Sequence, residues 1–99
     1  MANGHLAEAK QLLRNFHHVA KRELGERHEQ TVVVTKRLAA ALSYGPDASL
    51  GDVREAEALV EGALSTGRKA FGAQHPLNLE AAKQLAELQR RARYLSSRA

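Results

Sequence analysis

The chain has 99 residues, a formal net charge of +4 and no cysteine. This length predicts one small domain, residues 1–99, with a core of modest size. Without cysteine, a disulfide framework and a thiolate metal site are both excluded. The longest apolar run, residues 38–42, is far shorter than the roughly 20 residues that cross a bilayer. Because residues 1–4 also lack the pattern of a secretory signal, we expect a location in the cytoplasm or inside an organelle.

Apolar spacing predicts two helices in the first half of the chain. The first covers about residues 5–24, with apolar side chains at steps of three and four. Gly25 ends it, because glycine accepts the left-handed turn that closes a helix. The second covers about residues 30–43. Its three consecutive valines favour a strand by themselves, but the alanine- and leucine-rich segment that follows them favours a buried helix.

Two further helices are predicted after the turn at residues 44–47, covering about residues 52–71 and 76–96. Asp52 is the predicted N-cap of the third helix, because Glu55 three residues later completes a capping-box pattern. Gly67 lies inside this helix, where we predict a close-packing contact, and Gly72 ends it. Pro76 suits the first turn of the fourth helix. The predicted fold class is therefore all-α, with four helices.

The second half of the chain repeats the first at a fixed distance. Gly25-x-x-His28 recurs as Gly72-x-x-His75, 47 positions later. The same shift divides the chain into two copies, residues 4–50 and 51–97. A fixed period of this size is typical of stacked-repeat proteins, in which each unit buries its apolar face against its neighbours. The repeat therefore predicts a binding or scaffolding surface rather than a catalytic pocket.

Three short motifs carry a family resemblance across nearly the whole chain. The second copy reads Glu55-Ala56-Glu57-x-Leu59, then Phe71-Gly72-x-x-His75-Pro76, then Leu79-x-x-x-x-x-Leu85-Ala86. The first copy matches at Gly4, Glu8, Ala9, Leu24, Gly25, His28, Thr31, Leu38 and Ala39. This pattern resembles the tetratricopeptide repeat of the kinesin light chain type. The resemblance implies antiparallel helix pairs in a short right-handed solenoid, whose concave side binds peptides or partner proteins.

The chain departs from the family pattern at three places. Glu29 stands where the family has a proline, and the period is longer because of the loop at residues 44–51. The pairs Lys36-Arg37 and Lys83-Gln84 replace the two asparagines that line the concave side in the family. The resemblance therefore implies a basic concave side that prefers an acidic protein segment. A plain alternative is that these are solvated side chains on a helix surface. The partner-binding residues implied by the resemblance are Thr35, Lys36, Arg37, Lys83, Gln84 and Arg91.

The phase of the repeat leaves both ends of the array open. One complete unit is flanked by two half units, whereas such arrays need about three units and polar caps. We therefore expect the end faces to meet a partner protein, a second copy or a further part of a longer protein. The expected function is that of a non-catalytic adaptor or small accessory subunit in a larger assembly.

Metal, cofactor and catalytic sites have weak support in the sequence. His28 and His75 follow the helix-ending glycines, where an imidazole most simply bonds to local backbone groups. His17 and His18 are adjacent, so they point about 100° apart and do not easily share an ion. The two aspartates have turn and capping roles, and there is no glycine-rich phosphate loop. We expect no enzymatic activity, no cofactor and no metal.

The alternative function is that of a small basic helical subunit of a ribonucleoprotein. Four arginines cluster around Tyr94 near the C-terminus, and two basic pairs recur at matching repeat positions: Arg90, Arg91, Arg93 and Arg98, with Lys21-Arg22 and Arg68-Lys69. Such side chains neutralise RNA phosphates. Basic residues near helix C-termini also complement the helix dipole, so this alternative is less favoured than a protein partner.

Overall fold

The computed structural model describes residues 2–98, with the side chains of residues 5–98. Within this range it contains four α-helices and no strand: α1 (Ala2–Leu24), α2 (Glu29–Ser43), α3 (Leu50–Phe71) and α4 (Pro76–Arg98). The prediction of an all-helical chain with four helices is confirmed. Met1 and Ala99, the ends of the predicted domain, lie outside the described residues.

Glycines end α1 and α3, as predicted. Gly25 has φ +85° and Gly72 has φ +92°, a backbone region that side chains with a Cβ rarely adopt. The Gly72 N–H donates to the carbonyl of Arg68 at 3.1 Å, which satisfies one of the last carbonyls of α3. The two glycines thereby let the chain turn sharply into α2 and α4.

The capping residue predicted for α3 is wrong. Ser49, and not Asp52, is the N-cap, and α3 begins at Leu50. The Asp52 N–H donates to the Ser49 hydroxyl at 3.0 Å, and the Ser49 N–H donates to the Asp52 carboxylate at 3.1 Å. This reciprocal pair is a capping box that starts one turn earlier than predicted. Glu55 is left to form an ion pair with Arg14 of α1, whose guanidinium lies 2.8 Å from its carboxylate.

The same hydrogen bonds recur at the start of α2 and of α4. The Gln30 N–H donates to His28 Nδ1 at 3.0 Å, and the Leu77 N–H donates to His75 Nδ1 at 3.1 Å. The prediction that both histidines bond to local backbone groups is confirmed. Each imidazole nitrogen satisfies one of the free N–H groups at a helix start, the role that Asn or Asp more often fills.

The core lies mainly between α2, α3 and α4. α2 packs against α1 on one side and α3 on the other, α3 packs against α4, and α2 also contacts α4. The fully buried side chains of this core include Leu38, Leu42, Val53 and Val60. α1 adds little to the core, and several of its apolar side chains are exposed. Of the helices described, none combines the length and the apolar character that crossing a membrane needs.

Gly67 makes the close-packing contact that was predicted for it. It is buried inside α3, and a Cβ added there would overlap the Asn78 amide oxygen of α4. Asn78 is itself buried and donates through Nδ2 to the Gly72 carbonyl at 2.6 Å. The absence of a side chain at Gly67 therefore makes room for the amide that joins α4 to the turn before it.

Candidate functional site

A groove open to solvent lies between α2, the loop after it, and α4. Its volume is about 340 Å3, and the lining includes Ala40 and Ser43 of α2, Tyr44 of the loop, and Gln84, Glu87 and Arg91 of α4. Two of the residues that the sequence analysis assigned to partner binding, Gln84 and Arg91, are among them. We refer to this feature as the α2–α4 groove.

Three contacts hold α4 against α2 and the loop. Gln84 donates through Nε2 to the carbonyl of Lys36 at 2.9 Å, and the Arg91 guanidinium donates to the carbonyl of Gly45. In the opposite direction, the Lys36 ammonium lies 2.7 Å from the Glu80 carboxylate. The hydrogen bond from Lys36, followed by its positive charge, lowers the pKa of Glu80. These contacts fix the spacing of the two helices that form the groove.

The structure places the six predicted binding residues in three different situations. Thr35 is buried, and its hydroxyl donates to the carbonyl of Thr31 at 2.7 Å, so it presents no polar group to a partner. Lys36, Gln84 and Arg91 are partly buried and engaged in the contacts just described. Only Arg37 and Lys83 have exposed side chains. The binding role of all six residues stays a prediction, and Arg37 and Lys83 are not among the residues that line the α2–α4 groove.

Tyr44 was missed by sequence reasoning. It is the C-cap residue of α2, lines the groove and is 69 % exposed. An exposed tyrosine offers both an apolar ring and a hydroxyl, which is why this residue type is frequent in binding surfaces. In the sequence, the signal for this exposure is the position of the aromatic residue directly before Gly45-Pro46. A residue at such a turn does not lie on a helix face that packs against the core.

The histidines and acids of the described residues are not grouped as a metal site requires. Across residues 2–98, no group of three or more His, Cys, Asp or Glu side chains is placed to hold an ion. His75 Nε2 lies 2.9 Å from a Glu29 carboxylate oxygen, so that ring joins the starts of α4 and α2. The pKa of His17 is lowered, first by partial burial and then by the charge of Lys21.

An open concavity between α3 and α4 is a second surface feature, and Arg93 is the one arginine near the end of α4 among its lining residues. Arg54, Ser96 and Ser97 also line it, together with the acidic Glu57 of α3. The Arg98 guanidinium lies over the Tyr94 ring, 5.6 Å from its centroid. This surface is distinct from the α2–α4 groove, because the two share none of the side chains that line them.

Comparison of the chain with family models, with curated proteins and with solved structures finds no match.

Proposed function

We propose that this chain is a non-catalytic protein-binding module of the tetratricopeptide type, in which the α2–α4 groove receives an extended segment of a partner protein. In the proposed arrangement the helices pair in antiparallel fashion and stack into a short right-handed solenoid. The order of helix contacts supports this, since each helix packs on the next and α2 also meets α4. The observation that carries the proposal is an open groove between two helices that occupy the same position in successive copies.

The charge of the groove margin supports an acidic partner. The charge of Lys36 is balanced by Glu80, whereas Arg37 and Lys83 are exposed. Arg37 lies one helical turn before Ala40 of the lining, and Lys83 lies one turn before Glu87. At these positions beside the groove, their charges attract a segment rich in Asp or Glu and outnumber the single carboxylate of Glu87. Tyr44, which lines the groove, offers an aromatic contact.

The test is selection of binding peptides from a random library displayed on phage, with the wild-type chain as bait. Peptides selected in this way should be rich in Asp and Glu. Their affinity for the double variant Arg37→Glu/Lys83→Glu should fall by about 5-fold or more, since each exposed charge reversal changes binding by up to about 1 kcal/mol. Lys36 is left unchanged, because its reversal would place a carboxylate beside Glu80 and replace an ion pair between α2 and α4 by a repulsion.

Arg22→Glu/Lys69→Glu is the matched control, because it makes the same change in net charge at exposed residues of α1 and α3 outside the groove. An equal loss of affinity in both double variants would mean that the peptides respond only to net charge. Unchanged affinity in the groove variant would remove the groove from consideration as the binding site.

RNA binding is the second candidate, because Arg54 and Arg93 line one concavity with two serines and a single acid, Glu57. A single-stranded RNA oligonucleotide of mixed sequence is the probe. If both arginines neutralise phosphates, Arg54→Glu/Arg93→Glu should weaken binding and reduce the slope of log affinity against log salt concentration by about 1.4. A salt slope that does not change in this variant would exclude the concavity as an RNA site.

A further inference from the structure

We propose that copies of this chain stack head to tail, with α1 of a second copy packed on the outer face of α4. This inference rests on the repeat arrangement of the proposed function and adds a specific partner for the two end faces. The interface would be heterologous, because the surface that one copy offers differs from the surface that it receives.

The two surfaces are exposed apolar faces at opposite ends of the structure. On α1, Leu12 and Phe16 are each 53 % exposed and Val19 is 44 % exposed. Their spacing places them on one side of the helix. On α4, Leu79 is 48 % exposed and Ala86 is also exposed. A row of large apolar side chains such as that on α1 is typical of a surface that another helix covers.

The internal repeat indicates which helix covers the α4 face. Leu79 and Ala86 correspond, 47 positions earlier, to Val32 and Ala39 of α2, which are 1 % and 0 % exposed. Val32 borders a cavity with Leu59 and Ala63 of α3. Ala39 belongs to the apolar cluster that α2 shares with α3 and α4. α3 thus covers this part of α2, whereas no described helix covers the equivalent part of α4. The helix of the first copy that corresponds to α3 is α1, so α1 of a second copy is the helix expected to cover α4.

Side-chain size also favours α1 as the covering helix. A cavity of about 190 Å3 borders Ala63, Thr35 and Val32 at the junction of α1, α2 and α3. At the proposed junction between copies, Phe16 of the second copy takes the position of Ala63, and Ala82 takes the position of Thr35. Because Phe16 is larger than Ala63 and Ala82 is smaller than Thr35, the phenyl ring would occupy the space that corresponds to this cavity. The ring would fill that space with apolar contacts.

One pair of charges opposes the stack and provides a sharp test. Within the chain, Arg14 of α1 forms an ion pair with Glu55 of α3. The equivalent positions across the proposed junction are Glu61 and Glu8 of the second copy, which repel each other. Association of the wild-type chain should therefore be weak, and Glu61→Arg should strengthen it by about 2- to 5-fold by restoring the pair.

The experiment is sedimentation velocity of the full chain over a wide range of concentration, with variants at each end. Phe16→Glu alters only the α1 surface and Leu79→Glu alters only the α4 surface. Each should weaken self-association by roughly 10- to 100-fold, because the variant loses the free energy of burying one large apolar side chain in the interface. An equimolar mixture of the two variants should form a heterodimer, because the mixture still contains one intact surface of each kind.

The outcomes separate head-to-tail stacking from its alternatives. If Leu79→Glu associates like the wild type while Phe16→Glu does not, the chain forms a symmetric α1–α1 dimer and the proposal is overturned. It is also overturned if neither the wild type nor Glu61→Arg associates at the highest soluble concentration, in which case another protein covers these faces. Because both end variants leave the α2–α4 groove unchanged, peptide binding measured on them tests the proposed function separately. Unchanged helical circular dichroism in each variant shows that a loss of association is not a loss of folding.

Discussion

Gly67 and Asn78 occupy positions that a different pair fills in the first copy, where Ala20 stands for the glycine and Thr31 for the asparagine. The Thr31 hydroxyl donates to the carbonyl of Gly25 at 2.7 Å, just as the Asn78 amide donates to the carbonyl of Gly72 at 2.6 Å. In the first copy the small residue is larger, Ala20 instead of a glycine, and the polar residue facing it is smaller, Thr31 instead of an asparagine. We infer that each pair was matched for volume, and that Gly67→Ala should therefore be destabilising.

The magnitude follows from opposing effects. Replacing a glycine by alanine inside a helix stabilises by up to about 1 kcal/mol. At Gly67, however, the new Cβ would overlap the Asn78 amide oxygen and lie 3.3 Å from its Cγ, so the buried amide must move. Losing its hydrogen bond while leaving polar atoms buried costs about 1–3 kcal/mol. The expected net destabilisation is about 1–2 kcal/mol, equivalent to a fall in Tm of about 4–8 °C per kcal/mol for a chain of this size.

Urea and thermal unfolding, followed by circular dichroism, measure this effect and its rescue. The double variant Gly67→Ala/Asn78→Thr reproduces the pair found in the first copy, so the steric conflict is removed and a threonine hydroxyl can donate to Gly72. We expect it to be at least as stable as the wild type, with a coupling energy of about 1–3 kcal/mol between the two changes. Gly62→Ala is the control, because a Cβ at that position meets nothing within 4 Å.

Gly62→Ala should stabilise the chain by about 0.5–1 kcal/mol through helix propensity alone. A packing role for Gly67 is refuted if Gly67→Ala stabilises the chain by as much as Gly62→Ala. It is equally refuted if the effects of Gly67→Ala and Asn78→Thr simply add, because matched volumes require the second change to relieve the first.

Two further predictions concern the starts of the helices. His75→Ala should destabilise the chain by about 1 kcal/mol in urea unfolding. His75→Asn should be tolerated, because an asparagine side chain also accepts from the N–H groups of a helix start. Equal losses of stability in both variants would contradict the capping role. The pKa of Asp52 is lowered from its ordinary value of 3.8, chiefly by the Ser49 N–H that donates to its carboxylate. A lowered pKa in the folded state contributes stability that is complete above the unfolded value and is lost as the pH falls through the folded value. Asp52→Asn should therefore be less stable than the wild type at neutral pH, with a difference that shrinks below about pH 4 in urea unfolding; a difference that stays constant with pH would contradict this assignment.

Local signals were sufficient to predict the helices of this chain. Apolar residues at steps of three and four mark a helix face, and Gly25 and Gly72 mark helix ends because few other residues adopt a positive φ. The error at Asp52 was also local, since Ser49 and Asp52 both begin a pattern in which an acid follows three residues later. Nothing in the spacing of those residues selects the earlier pattern. The choice depends on whether α3 gains one more turn, and that turn adds apolar contact of Leu50 with the core.

Sequence reasoning about the candidate site identified residue types and their helices, but could not determine their surroundings. Thr35 is buried and Lys36 is tied to Glu80, a residue 44 positions later, so neither is an exposed group of the kind that the pattern suggested. The exposed groups are Arg37 and Lys83, which occupy different positions within their copies. Their exposure depends on how α4 is rotated against α2, and contacts such as Gln84 with the Lys36 carbonyl set that rotation.

By itself, the sequence determined the helical content, the glycine turns and the 47-residue repeat, because these depend on residues close together in the chain or on direct comparison of its two halves. The tertiary structure alone decided which basic side chains are neutralised, that the room left by Gly67 is taken by Asn78, and which apolar side chains of the predicted end faces on α1 and α4 are exposed. Those properties arise where side chains distant in sequence meet, and their geometry is set by the packing of whole helices.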